Sequence, residues 1–245
     1  MKPTPKSTPK SVPLLAFGAH PDDIEFGCGG VIVRETRAGR AAHLVVCSRG
    51  EAATNGTPAR RNAEAKKAAA ILGASLEFVN LGGDAHIEIR VTHTLKLAAI
   101  LRRVRPEIVL APSLVEIQHP DHARLGRLVR DAARLARYGG LKELKSLPPH
   151  SISQLFFYAL TPESEPPDIT PVIIDISAPE IVAAWTQAMQ AHTSQAATRD
   201  YVTVQLARAR LHGLRADIGH AMALFPNDPL VLDSLAQIGR GARRF

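Results

Sequence analysis

The 245-residue chain is poor in aromatic residues, which make up 4% of it, with one Trp and three Tyr. Its core must rest on Ala, Leu, Val and Ile, and it offers few rings on which unpaired bases could stack. Cysteine is nearly absent. Cys28 sits among glycines and Cys47 ends an apolar run, so both read as small buried residues rather than a disulfide framework. No stretch approaches the roughly 18 continuous apolar residues of a membrane span, and the opening MKPTPKSTPKS lacks the apolar centre of a secretory signal. A cytoplasmic protein with no membrane partner is the expectation. Acidic residues are missing from both ends. Lys2, Lys6 and Lys10 at the start and Arg240, Arg243 and Arg244 at the finish account for six of the seven charges in the net +7. The body is thus close to neutral and has no basic face for specific nucleic-acid binding. Residues 1–11 read as a disordered basic tail and 239–245 as a second tail, around one domain at 12–238.

The chemistry is concentrated between Ala16 and Gly30, AFGAHPDDIEFGCGG, where an apolar run ends in His20, Asp22, Asp23 and Glu25. A second cluster, His119-Pro120-Asp121-His122, repeats the pattern about a hundred residues later. Around these clusters, apolar runs at Val12 to Phe17, Ala41 to Cys47, Leu76 to Leu81 and Ile108 to Ala111 predict strands. Spacings of three and four predict helices over Ile24 to Ala38, Ala59 to Leu72, Thr92 to Val104 and Asp121 to Tyr138. Further strands are expected at Gln154 to Leu160 and Val172 to Ile176, then helices at Pro179 to His192 and Val204 to Phe225. Alternation of this kind gives a single-domain α/β fold, a doubly wound, mostly parallel Rossmann-like sheet with helices on both faces. With strand order 3-2-1-4-5, strands one and four are neighbours, and the two clusters meet at the switch point where such sheets bind ligands.

Taken singly, Asp22, Asp23 or Asp121 reads as a helix cap. HPD occurring twice, each time directly after an expected strand, points instead to a metal site. His20, Asp23 and His122 supply two imidazoles and a carboxylate, a set that suits catalytic zinc with an open position for water. Asp22 is then left as a general base. His119 can stabilise an oxyanion or donate a proton to a leaving amine, and Asp121 can orient a ligand histidine from behind. The glycines 27, 29 and 30 do not form a dinucleotide fingerprint, because GCGGVI breaks the G-x-G-x-x-G spacing.

AHPDD followed by E-x-G-x-GG, with HPDH downstream, resembles the LmbE-like (PIG-L) superfamily of zinc-dependent N-acetylglucosaminyl deacetylases. The resemblance runs from about Val12 to Phe225 and is closest to the bacillithiol-pathway and mycothiol-pathway branch. SRGE at Ser48 to Glu51, Arg61 and Glu64 with the terminal Leu72-Gly73, and H-x-S-Q at His192 to Gln195 extend it. It implies that His20, Asp23 and His122 hold zinc, with ferrous iron as the alternative, that Asp22 is the general base and that His119 assists the tetrahedral intermediate. It also places Arg61 at the substrate, although Arg60 beside it could serve equally. Glu51 is placed there too, and His192 with Ser194 and Gln195 is set to line the pocket or close it from a neighbouring subunit. The implied substrate is an N-acetylglucosamine-containing small molecule such as N-acetylglucosaminyl-malate, and the implied assembly is a homo-oligomer such as a hexamer. Alternatives are an amidase acting on another amide, such as a thiol S-conjugate, and a catalytically silent sugar-binding homologue. Two departures concern the far end of the substrate: Ala221-Met222-Ala223-Leu224-Phe225 lacks the branch's late acidic residue, and strand three leaves through Gly82-Gly83-Asp84-Ala85-His86 rather than a short Asp-Gly turn.

Overall fold

A computed structural model describes residues 12–196 and 200–242. Its first strand, β1 (Leu14–Gly18), is buried along its whole length. Leu14 and Ala16 point into one hydrophobic cluster and Leu15 and Phe17 into another, as the two-residue period of a strand covered on both faces requires. After it come α1 (Asp23–Arg37), β2 (Ala42–Val46), α2 (Pro58–Leu72), β3 (Ser75–Phe78), α3 (Val91–Val104), β4 (Ile108–Pro112) and α4 (Pro120–Ala136). The second part holds β5 (Gln154–Tyr158), β6 (Val172–Asp175), α5 (Pro179–Gln190), the single turn α6 (Thr193–Ala196), α7 (Tyr201–Arg215) and β7 (Ala221–Pro226). None of the described helices is long and apolar enough to cross a membrane.

The seven strands lie in the order β3-β2-β1-β4-β5-β7-β6. From β3 to β5 all pairings are parallel, and β7 runs antiparallel to both β5 and β6. Strands one and four are neighbours as expected, so the loops that follow them open at the same edge. Side chains of α1, α2 and α5 fill one face of the sheet, and those of α3 and α4 the other.

Local signals explain why the helices start and stop where they do. Thr57 caps α2 by accepting the Arg60 N–H at 3.2 Å, Pro58 fills its first position, and Gly73 closes it in the left-handed conformation. The glycines of α1 serve packing. A Cβ on Gly27 would lie 2.1 Å from the Tyr158 ring, and one on Gly29 2.8 Å from Trp185. Burial also holds the Cys28 and Cys47 thiols well above their usual range, which suits inert core residues.

The helix expected over Val204 to Phe225 is corrected. It ends at Arg215, and the apolar run from Ala221 is strand β7. The chain doubles back after α7, with Ile218 N–H donating to the Gly213 carbonyl at 2.9 Å and Asp217 at φ 55°. A run this short and buried on both faces has no periodicity to separate strand from helix. The first basic tail, with Lys2, Lys6 and Lys10, lies outside the described residues, as do Arg243 and Arg244. Arg240 is held to the body, its Nη2 donating to the Ala216 carbonyl at 2.6 Å.

Candidate active site

The chain leaves β1 into a turn that its own carboxylate holds. Asp23 Oδ2 accepts the backbone N–H groups of Ala19 at 2.8 Å and His20 at 3.0 Å. Asp22 takes φ 122° just before α1, a region that side chains rarely adopt. Ala85 and Gln118 also have positive φ, near 65°, and all three residues line one cleft of about 640 Å³ at the carboxyl edge of the sheet. Backbone strain of this kind persists only where surrounding contacts over-determine it, and it gathers at functional sites.

At the cleft floor, one ligand atom each from His20, Asp23 and His122 lies within 4.8 Å of the other two. His20 Nδ1 is 3.6 Å from Asp23 Oδ2, and His122 Nε2 is 3.3 Å from Asp23 Oδ1. His122 Nε2 is buried without a hydrogen-bond partner. A buried nitrogen left in this state beside a second imidazole and a carboxylate fits a divalent metal such as zinc. On the other side of the His20 ring, Nε2 faces Asp84 Oδ1 at 3.1 Å and Asp121 Oδ2 at 3.3 Å. Carboxylates placed behind a histidine in this way fix its tautomer and raise its basicity as a ligand. Asp121 is fully buried, and its Oδ2 also accepts the Ala85 N–H at 2.8 Å. His20, Asp84, His119 and Asp121 form a second group of comparable spacing. The first group, unlike the second, includes a buried imidazole nitrogen, His122 Nε2, without a hydrogen-bond partner.

The charges follow this arrangement. Burial opposes the charged form of Asp23, yet His122 and His20 hold its carboxyl well below the usual range. Burial likewise opposes a charged His20, but Asp23 and the hydrogen bonds with Asp121, Asp23 and Asp84 carry its pKa well above the ordinary value. Asp22 is raised to about 6 by burial, against the pull of Arg61. His119 is lowered, first by burial and then by the charge of His20. Its Nδ1 accepts the Asp121 N–H at 3.2 Å and so caps α4. With Nδ1 an acceptor, a neutral His119 carries its proton on Nε2, the nitrogen that lies 3.7 Å from Asp84 Oδ1.

Arg61, rather than Arg60, faces the site. It is 4% exposed, its Nη2 donates to the Pro21 carbonyl at 2.8 Å, and the same nitrogen lies 3.3 Å from Asp22 Oδ2. Arg60 turns outward to Glu64 and Thr193. Glu51 does not line the cleft. Its Oε2 accepts the N–H groups of Arg49 and Asp84, each at 3.0 Å, and this anchors the loop that carries Asp84. His192 is also displaced from its expected place. It is fully buried behind Phe26, with Nε2 3.5 Å from Glu25 Oε2, while Gln195 reaches the cleft. Ser194 is held by its Oγ donating to Glu64 Oε2 at 2.6 Å.

Asp84 is the site residue that sequence reasoning missed. Its loop follows β3 at the same edge as the HPDD and HPDH turns, and an acid in a glycine-rich strand exit was the available signal. Gly82 and Gly83, at φ 113° and 98°, let the loop fold back over that edge.

Residues 15–133 match the family described as PIG-L, GlcNAc-PI de-N-acetylase. The structure of a conserved protein from Thermus thermophilus superposes with a TM-score of 0.78 at 32% identity, over 92% of this chain and 99% of that one. The chain belongs to the PIG-L (LmbE-like) family. Among PIG-L relatives, 4-oxalmesaconate hydratase of Pseudomonas putida is 34% identical over 140 residues, 52% of this chain. That match spans about half of the hydratase, 54% of its length. Diacetylchitobiose deacetylase of Thermococcus kodakarensis is 29% identical over 195 residues, covering 74% of this chain and 69% of that protein. The PIG-L segment takes in His20, Asp22, Asp23, Arg61, Asp84, His119 and His122, the whole cleft floor. The part of the cleft from Leu160 to Gln205 lies beyond it.

Proposed function

We propose that the protein is a zinc-dependent hydrolase that removes an N-acetyl group from a small N-acetylglucosamine-containing molecule. The observation that carries this reading is the convergence, on one cleft floor, of a His20–Asp23–His122 triad with the Asp22 carboxylate beside Arg61 and the His119 imidazole. A divalent metal held by the triad supplies Lewis acidity toward the scissile carbonyl and brings the pKa of water down to around 7. Asp22, raised to about 6, is poised to take a proton near neutral pH and to return it to the departing amine. Arg61 holds that carboxylate in place. His119 Nε2–H points toward the cleft as a donor for the oxygen that gains charge, and it carries no net charge of its own to be desolvated. Arg61 and Asp84 offer a donor and an acceptor for sugar hydroxyls.

The relationship to a hydratase supports a second reading, addition of water across a carbon–carbon double bond of a carboxylate substrate by the same floor. Among the described residues, Arg61 is the cleft's only lysine or arginine, so a carboxylate substrate would depend on it and on the metal for counter-charge. A cytoplasmic homo-oligomer is the accompanying proposal, and size-exclusion chromatography with light scattering tests the assembly.

The direct test is amine release from free N-acetylglucosamine, N-acetylglucosaminyl-inositol and N-acetylglucosaminyl-malate, with chelator and with added zinc. Chelator-sensitive release from any of them supports the reading. Silence across the panel by protein that holds one metal per chain, with hydration of an unsaturated carboxylate instead, replaces it with the second.

A further inference from the structure

The cleft has two chemically different sides. In the strand order β3-β2-β1-β4-β5, the loop bearing Asp84 follows β3, whereas Leu160 and Thr161 follow β5, on the far side of the β1–β4 pair that carries the floor. The β3 side presents Asp84 and Arg61. The β5 side presents Leu160, Phe26, Tyr201 and Val204, with the Phe26 and Tyr201 rings 5.9 Å apart, and Thr161 and the carboxylate of Glu163 also line it. Val204 is 39% exposed, an apolar side chain at the rim of α7. Gln205 on this side is already engaged, its Nε2 donating to the Leu160 carbonyl at 2.7 Å.

An amide is planar and trans, so its two substituents leave in opposite directions from the reacting carbonyl. With that carbonyl at the floor between His119 and the His20–Asp23–His122 triad, the nitrogen substituent and the acyl substituent must enter different sides. A sugar bearing several hydroxyls matches Asp84 and Arg61. The acyl carbon chain then enters the β5 side, and an acetyl group is a single methyl, far too small to cover Leu160, Phe26, Tyr201 and Val204. We propose that this side is an acyl-chain subsite and that the enzyme accepts N-acyl groups longer than acetyl. The proposal rests on the hydrolase reading above. The reaction is unchanged in form: the amide C–N bond breaks, water supplies the new C–O bond, its proton passes to the amine, and a longer carboxylic acid leaves in place of acetate.

The test compares kcat/KM for N-acetyl-, N-butanoyl- and N-hexanoyl-glucosamine with that for an octyl glycoside of N-acetylglucosamine, using the full chain loaded with zinc. The expected result is a kcat/KM that holds or rises from acetyl to hexanoyl. In Val204→Asp, which alters only a rim position, the hexanoyl-to-acetyl ratio should fall by about tenfold, the discrimination typical of an apolar pocket. Cleavage of the acetyl compound with a fall on lengthening overturns the subsite and leaves the deacetylase reading standing. A gain that follows the octyl aglycone rather than the acyl chain also overturns it. Failure to cleave any member of the series by metal-loaded protein overturns the hydrolase reading itself, and the subsite with it.

Discussion

At the floor of the cleft, Asp22, Asp23, Asp84 and Asp121 meet His20, His119, His122 and Arg61 through contacts of about 3 to 4 Å. On the β5 side the same cleft offers mainly apolar side chains, Leu160, Phe26, Tyr201 and Val204, with Thr161 and Glu163 beside them. The floor is over-determined. Its strained residues cost roughly 1–3 kcal/mol each, and hydrogen bonds from Ala19, His20, Ala85 and Arg61 offset that cost. The wall is held from behind, where Arg208 Nε and His212 Nε2 each lie 3.0 Å from Glu165 Oε1 and Arg208 Nη1 donates to the Ala159 carbonyl. The floor lies inside the PIG-L segment together with Phe26, and Leu160, Tyr201 and Val204 lie beyond it. The two regions thus come largely from separate stretches of chain.

The sharpest way to break that division is at the floor. Asp22→Asn should lower kcat by about 10²–10⁴-fold while metal content stays at one per chain; His122→Ala should lose the metal as well as turnover. Turnover and metal analysis on the same samples check both, and near-native rates in Asp22→Asn would remove the base from its role. The metal itself should respond to pH. Against the pull of burial, Asp23 and the hydrogen bonds with Asp121 and Asp84 raise the His20 pKa in the metal-free centre, so binding should release a proton. Affinity should therefore weaken as pH falls, measured by chelator competition between about pH 6 and about pH 8.

Smaller effects test the scaffold behind each side. Gly27→Ala drives a methyl into the Tyr158 ring and should cost about 1–3 kcal/mol in denaturant unfolding. If the glycine were kept for a ligand, stability would be unchanged. At the wall, burial opposes the charge of Glu165, but His212 and Arg208 hold its carboxyl below the usual range. A group lowered on folding contributes stability above its unfolded pKa and loses it as pH falls through the folded value. Melting temperature should accordingly drop on acidification below the ordinary carboxylate range, and Glu165→Gln should flatten that part of the profile.

Much of the floor was legible in the sequence because its residues lie in two short motifs, each immediately after a strand, and parallel topology brings strands one and four together. Asp84 escaped because its placement depends on a loop folding back through Gly82 and Gly83, and nothing in GGDAH marks its target. His192 was misplaced for the opposite reason: a histidine near a motif looks available until the packing of Phe26 and Glu25 shows it enclosed. Arg61 and Arg60 differ by one position on a helix, about 100° of rotation, and only the burial of α2 decides which enters the cleft. Strand β7 was unreadable because five buried residues with no polar partner carry no period.

The start of α4 ties turnover to the scaffold. The imidazole that faces the cleft through Nε2 also receives the Asp121 N–H through Nδ1. The same ring thus ends a loop, starts a helix and sets which of its nitrogens keeps the hydrogen. A replacement at position 119 that can neither cap the helix nor reach the cleft should be felt twice, in turnover and in the anchoring of Asp121 behind His20. Asparagine, a good helix cap with no ring to reach across the cleft, would separate the two: melting temperature near that of the parent, with catalysis lost.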